Sequence, residues 1–204
     1  KLIPARNGIN SAPYGISQMT GNPPAGVEAW YLVPDPWIDP GTPDDGNKWQ
    51  WDIGLVLMVD RLGEETGWMG YGALSASDLN PRNHWNRGYP GCQDSYAEKP
   101  AGCQTARLYG DTQQCDIGYY HHPGSNGWNR QFAFSCDISR GHSGSAIYHY
   151  RWSPTHNANV PIVVAVVSWH ECFTCDEDDE YPNHARRITP WFFGAISWLK
   201  EQFP

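Results

Sequence analysis

Turn-forming residues interrupt this sequence so often that long helices have little room in it. The 204 residues include 21 Gly and 17 Pro, and Asn7-Gly8, Asn22-Pro23-Pro24 and Pro40-Gly41 are turn signals within the first third. Short runs rich in branched aliphatic and aromatic residues lie between the turns, at 27–33, 53–59, 131–134, 146–150 and 161–169. Such runs are typical of β-strands, so we expect an all-β protein. A chain of this length can form one large domain or two lobes that share a core.

The last segment has a different periodicity. Thr189 is a good N-cap and Pro190 a good first helical residue. Helical spacing connects the apolar residues that follow, which are Trp191, Phe192, Ala195, Ile196 and Leu199. We therefore expect one amphipathic C-terminal α-helix, over 189–204, packed on the β body.

Charge and the lengths of the apolar runs exclude two classes of partner. The net charge of the chain is -8 and only 18% of its residues are charged, whereas a nucleic-acid footprint needs clustered Lys and Arg. No apolar run approaches the roughly 18 residues of a membrane span. We expect no nucleic-acid partner and no membrane partner.

Six cysteines predict disulfides and an oxidising compartment, which indicates secretion. They are Cys92, Cys103, Cys115, Cys136, Cys172 and Cys175. Of the fifteen ways to pair six cysteines, a preference for short loops favours the sequential one: 92 with 103, 115 with 136, and 172 with 175. The alternative is a zinc site at the CxxC of Cys172 and Cys175, but no second ligand pair follows at finger spacing. The acidic run 176–180 lacks the spacing of a calcium loop and is interpreted as a solvated loop, so no metal is expected.

The sharpest local motif is Gly141-His142-Ser143-Gly144-Ser145, between two predicted strands. A serine hydroxyl becomes a nucleophile when a base takes its proton, and its tetrahedral intermediate needs backbone N–H donors nearby. Flanking glycines allow the tight turn that points two amides, those of Gly141 and Ser143, at one position. The alternative is an ordinary Gly-Ser turn.

A single acid, Asp52, precedes the apolar run Ile53-Gly54-Leu55-Val56-Leu57. A buried aspartate is costly unless it is hydrogen-bonded, and one use for such a residue is to orient a catalytic imidazole. The alternative is a turn residue at the start of a strand.

At these residues the chain resembles the chymotrypsin-fold serine peptidases, and most closely the secreted bacterial glutamyl-endopeptidase-like branch. The resemblance runs through most of the chain in a fixed order. It is carried by Pro4-Ala5-Arg6-Asn7-Gly8, Pro13-Tyr14-Gly15, Trp51-Asp52-Ile53-Gly54, Thr66-Gly67-Trp68-Met69-Gly70-Tyr71-Gly72, Gly88-Tyr89-Pro90-Gly91, Cys136-Asp137, the Gly141–Ser145 motif and Arg187-Ile188-Thr189.

The resemblance implies two antiparallel β-barrels with the active site between them. Residues 1–75 would be the remainder of the N-terminal barrel, 76–188 the C-terminal barrel and 189–204 the final helix. Ser143 would be the nucleophile, Asp52 the triad acid, and the amides of Gly141 and Ser143 the oxyanion hole. No cofactor is implied, and the substrates would be proteins or peptides.

The chain departs from the family at the triad histidine. The family's triad runs His, Asp, Ser, but all eight histidines follow Asp52; they are His84, His121, His122, His142, His149, His156, His170 and His184. The segment from Pro4 matches sequence that in the family lies downstream of that histidine, so the first barrel is expected to be incomplete in this chain, which begins at Lys1 without Met.

Three explanations are open. A separate N-terminal chain carries the histidine and stays bound; the sequence is an inactive fragment or lacks a lost segment; or the chain is a histidine-free binding protein or recruits another histidine. We favour the first, because a barrel without its first strands exposes unpaired edges that a complementary chain would cover. We expect His142 to be a local turn residue and not the base.

Specificity is open between acidic, basic and apolar substrate side chains. By resemblance, Asp137 lies where an acid binds Arg or Lys in trypsin-like relatives, but a loop-stabilising carboxylate is the favoured interpretation. Ser168, Trp169 and His170 would form the far wall of the substrate pocket. Ser168 aligns with the family's glutamate-binding histidine, and a slip of two residues would bring in His170, which faces the same side of an extended strand.

A non-enzymatic alternative is a catalytically inactive homologue that binds proteins or carbohydrates. Eleven Trp and eleven Tyr are enough to line such a face. We expect most of them to serve core packing instead.

Overall fold

The computed structural model describes residues 31–41, 46–58, 61–93, 101–110, 113–118, 130–170 and 183–202. Within them the strands are β1 Tyr31–Leu32, β2 Leu55–Val56, β3 Gly70–Tyr71, β4 Trp85–Gly88, β5 Tyr109–Gly110, β6 Ile117–Gly118, β7 Gln131–Phe134, β8 Ala146–Ser153, β9 Ala158–His170 and β10 Asn183–Arg187. The helices are α1 Asp35–Ile38, α2 Gly46–Trp49, α3 Leu62–Thr66, α4 Ala76–Leu79 and α5 Pro190–Gln202. Because α1 to α4 span only four or five residues each, the described chain is mostly β, as predicted.

The predicted strands differ in how well they match. The run 131–134 is β7 to the residue, and the runs 146–150 and 161–169 lie inside the longer β8 and β9. The prediction of a strand over 53–59 is wrong in length, since β2 holds two residues. The reason is local: the amides of Trp51 and Asp52 bond back to the carbonyls of Lys48 and Trp49, so the chain is still turning there. Of 27–33, only the end lies within the described residues.

Six strands of the second half form a closed ring. Hydrogen bonding joins them in the order β4-β8-β9-β10-β7-β6, with every neighbouring pair antiparallel. A bridge between His84, just before β4, and Cys115, just before β6, joins the two ends. Closure of this kind removes free sheet edges. The ring is an antiparallel barrel of the kind that the predicted fold class contains.

The first half contributes shorter pieces. β1 and β2 form a two-stranded antiparallel sheet, while β3 runs parallel to β9 with Gly70 opposite Ile162. The division of the chain after residue 75 stays a prediction.

The strand β9 supplies two separate apolar clusters. Val164 and Val167 point into the ring with Phe132 and Phe134, and Val163 and Val166 lie against a second cluster. Burial on both sides explains why this strand is a continuous apolar run and not an alternating one.

The second cluster joins the C-terminal helix to the residues after Asp52. Its buried members are Ile53, Ile188 and Phe192. The helix begins as predicted, with the Phe192 amide 3.4 Å from Thr189 Oγ1. Trp191, predicted on the packed face, is instead exposed, because the helix buries its Phe192 and Ile196 side.

Two of the three predicted disulfides are present. Cys92 pairs with Cys103 and Cys115 with Cys136, with Cα atoms 5.5 Å and 4.7 Å apart. Cys172 and Cys175 lie outside the described residues. Among the described helices, none is long and apolar enough to cross a membrane.

Candidate active site

The serine motif is a tight turn between β7 and β8. His142 N donates to Ser139 O at 3.1 Å, and Ser145 N donates to His142 O at 2.8 Å. The His142 ring turns inward, where its Nδ1 accepts from Ser139 N at 2.8 Å. An Nδ1 that accepts a hydrogen bond carries no proton, and burial lowers the pKa of His142. His142 is therefore a turn residue, as expected, while Ser143 beside it is exposed.

Gly141 is required by this turn. Its φ is +99°, a conformation that side chains with a Cβ rarely adopt. A Cβ there would also collide with the backbone of Tyr89, Pro90 and Gly91. The turn can pass this close to 89–91 only without a side chain.

The amides of the turn fall into two groups. Those of His142, Gly144 and Ser145 donate to the carbonyls of Ser139, Val167 and His142. Those of Gly141 and Ser143 donate to no acceptor within the residues that the structure describes. Two unengaged donors beside an exposed hydroxyl form an arrangement that can accept a developing oxyanion.

Ser168 connects the predicted nucleophile to the predicted acid. The Ser143 hydroxyl donates to the Ser168 carbonyl at 3.3 Å, and the Ser168 hydroxyl donates to Asp52 Oδ2 at 2.5 Å. Asp52 and Ser143, 91 positions apart in the sequence, thus both contact one residue. The structure brings together Asp52, Ser143, Gly141 and Ser168.

A β-bulge sets the position of Ser168. In the pairing of β9 with β10, His184 lies opposite Trp169 and Ala185 lies opposite Val167, so Ser168 is the extra residue. A bulge redirects side chains at the end of a ladder. Here the Ser168 hydroxyl points towards Asp52, outside the ring.

Three effects act on the Asp52 carboxyl. Burial raises its pKa, while the hydrogen bond from Ser168 and the charge of Arg186 lower it. Arg186 was missed by sequence reasoning, because an arginine in a strand gives no sign that it will be buried. The net pKa of Asp52 stays above its ordinary value.

Five histidine side chains lie within the described residues. His84, His142, His149 and His184 are buried, and His156 is exposed in the turn between β8 and β9. Within the described residues, none of these five has a hydrogen bond to Ser143 or Asp52. His121 and His122 lie outside the described residues, as does the side chain of His170.

The predicted specificity residues are only partly visible. Asp137 is exposed on the loop after Cys136. Trp169 and His170 belong to β9, but the structure does not describe their side chains. Ser168 is buried and bonded to Asp52, so the prediction that it lines a substrate wall stays a prediction.

The fold is that of the chymotrypsin-type serine peptidases. The particular solved structure that the chain resembles is described as a Glu endopeptidase in complex with MPD, with a TM-score of 0.56 and 17% sequence identity. The match covers 97% of this chain and 73% of that one, and at this identity it shows the fold alone. No family model and no curated protein matches the sequence.

Proposed function

We propose that this chain is the main chain of a secreted serine endopeptidase whose triad histidine lies on a separate N-terminal chain. Ser143 Oγ attacks the scissile carbonyl carbon while the histidine accepts its proton, and the carbonyl π electrons move to oxygen. The amides of Gly141 and Ser143 bind that oxyanion, and Asp52 orients the imidazolium. Collapse breaks the C–N bond and returns the proton to the leaving amine. Water then hydrolyses the acyl-enzyme by the same route.

One observation carries this proposal. The Ser143 hydroxyl donates to the Ser168 carbonyl, and the Ser168 hydroxyl donates to Asp52. An exposed hydroxyl, two unengaged amides and a half-buried carboxylate are the parts that this chemistry needs. A Gly-Ser turn with no catalytic role would not require the distant Asp52 to be held beside it.

The two-stranded sheet supports the separate chain. Tyr31, Leu32 and Val56 are exposed on β1 and β2. Among the described residues, these two strands pair only with each other. Exposed apolar side chains on a two-stranded sheet are a surface that another strand would cover. We propose that the histidine-bearing chain pairs here.

The two disulfides support secretion, because such bonds persist in oxidising compartments. The substrate preference is proposed to be set by Asp137 for basic side chains or by His170 for acidic ones. A peptide library that varies only the residue before the scissile bond distinguishes these from an apolar preference.

Covalent labelling tests the enzyme. A fluorophosphonate probe should modify Ser143 of the native protein, and Ser143→Ala should abolish labelling. Ser145→Ala is the matched control in the same turn and should leave labelling in place. Native protein that stays unlabelled would overturn the proposal.

Mass spectrometry under non-reducing, denaturing conditions tests the second chain. We expect the 23.0 kDa species and a smaller polypeptide that contains histidine. A single 23.0 kDa species with full peptidase activity would refute the two-chain arrangement.

A second candidate function is an inactive homologue that binds proteins or carbohydrates. It is favoured by Trp68, Trp152, Trp191 and Trp198, each more than half exposed. The expectation that tryptophans serve core packing is wrong for these four. Saturable binding of an oligosaccharide or peptide by protein that no fluorophosphonate labels would support this function over the peptidase.

A further inference from the structure

A concave site lies between Trp51 and the start of α5. It is a cavity of about 630 Å³, within the size range of small-molecule sites. Its apolar walls include Trp51, Trp191, Pro34 and Pro190, and its charged lining includes Arg130 and Arg186. Neither Ser143 nor Asp52 lines it, but the charge of Arg186 acts on the Asp52 carboxyl, so the cavity adjoins the candidate active site.

Arg130 is held in place at this cavity. Its guanidinium stacks on the Trp51 ring, 3.8 Å from the centroid, and its Nη1 donates to Gln50 Oε1 at 3.0 Å. Stacking fixes the plane of a guanidinium and leaves its edge available for oxyanions.

Arg186 is buried in the same lining, with 1% of its surface exposed. Its Nη1 donates to the carbonyls of Arg130 and Arg187, both at 2.7 Å. Its Nε has no hydrogen-bond partner among the described residues. An unengaged donor on a buried cation is costly, so the charge of Arg186 is only partly compensated by hydrogen bonds.

Charge in the cavity favours an anion further. Burial, followed by the charges of Arg130 and Arg187, lowers the pKa of Arg186 to about 9, and the charge of Asp52 opposes this shift only in part. Asp35 lines the cavity but is exposed and forms no ion pair with either arginine.

The N-terminus of α5 adds to this field. Thr189, Pro190 and Trp191 line the cavity at the positive end of a 13-residue helix. A helix N-terminus attracts anions. Two arginines and a helix end thus converge inside walls of tryptophan and proline.

We propose that this cavity binds an organic oxyanion, a carboxylate or phosphate carried on a flat apolar body. The oxyanion contacts the guanidinium edge of Arg130, with the buried charge of Arg186 behind it, and the apolar body lies between Trp51 and Trp191. The proposal does not depend on peptidase activity.

Calorimetric titration of the native protein tests it with three probes of one shape: phenylacetate, phenyl phosphate and neutral phenylacetamide. We expect one of the two anions to bind with a Kd of about 1 mM or below, and phenylacetamide at least about tenfold more weakly. The tighter anion identifies the oxyanion. Equal binding of phenylacetamide, or no saturable binding of either anion, would overturn the proposal.

Variants locate the site. Arg130→Gln should weaken anion binding about tenfold, whereas Arg151→Gln, on the exposed end of β8, should not change it. Trp191→Ala, at an exposed position, serves if Arg130→Gln does not fold, and it should weaken both phenyl anions. Unchanged binding in the folded variants of Arg130 and Trp191 would place the anion elsewhere and refute the assignment.

Discussion

Ser168 donates its hydroxyl hydrogen to Asp52 Oδ2 over 2.5 Å, although 116 positions separate the two residues in the sequence. This bond opposes the effect of burial on the Asp52 carboxyl. We therefore predict that Ser168→Ala raises the pKa of Asp52 further above its ordinary value. NMR titration of the side-chain carboxyl measures it, with Ser197→Ala as a control far along α5.

Stability gives a second measure of the same bond. The folded-state pKa of Asp52 lies above the unfolded value, so its ionisation costs stability as the pH rises through the folded pKa. Ser168→Ala should lose about 1–2 kcal/mol at pH 7 and less at pH 3, where Asp52 is protonated. An equal loss at both pH values would contradict the role of the bond.

The two glycines of the serine turn should respond differently to alanine. Both have positive φ, +99° at Gly141 and +82° at Gly144, but only at Gly141 would a Cβ meet neighbouring backbone. Gly144→Ala should cost about 1–2 kcal/mol of unfolding free energy, and Gly141→Ala about 1–3 kcal/mol more. Denaturant titration compares them, and similar costs would show that the turn can move away from 89–91.

A buried histidine pair should make the barrel sensitive to acid. The rings of His84 and His149 meet edge to face at 5.8 Å, and burial above all lowers the pKa of each to about 4. Between pH 6.5 and 4 the unfolded chain binds protons that the folded chain does not. Stability is therefore lost as the pH falls through this window, by at most about 3 kcal/mol per histidine.

The double variant His84→Leu/His149→Leu isolates this effect. The difference in unfolding free energy between wild type and variant should change steeply between pH 6.5 and 4 and little above pH 7. A difference that does not depend on pH would show that both histidines take up protons inside the folded barrel as readily as in the unfolded chain, and would contradict the prediction.

The two disulfides should differ in what their removal costs. Cys92 and Cys103 close a separation of 11 residues, and Cys115 and Cys136 one of 21. Loop entropy assigns roughly 3 kcal/mol to each, but Cys115 and Cys136 are also buried in the barrel core. Replacing that pair with alanine should lower the thermal midpoint more than replacing Cys92 and Cys103. A larger drop in thermal midpoint on replacing Cys92 and Cys103 would contradict this prediction.

Sequence predicts this fold best where burial and strand structure coincide. The runs behind β7 and β9 are apolar on both faces, so their residue types alone indicate buried strands. Thr189 and Pro190 mark the start of α5 equally well. By contrast, β5 and β6 have two residues each, too few for any periodicity.

The candidate site is predictable in its parts but not in its assembly. Ser143 and Gly141 stand in a recognisable motif, and Asp52 in a recognisable position. The bulge at Ser168 has no local signature, because it follows from a register shift against His184 and Ala185. Arg186 is likewise buried through contacts with carbonyls that only the folded chain brings near it.

The two-sided burial of β9 determines how this molecule can fluctuate. Val164 and Val167 belong to one apolar cluster and Val163 and Val166 to the other, so neither cluster can open without pulling away the strand that completes its neighbour. The Val167 amide, bonded to Ser145 O beside the serine turn, should consequently exchange its hydrogen only through global unfolding. The region around Ser143 would then be as long-lived as the native state itself.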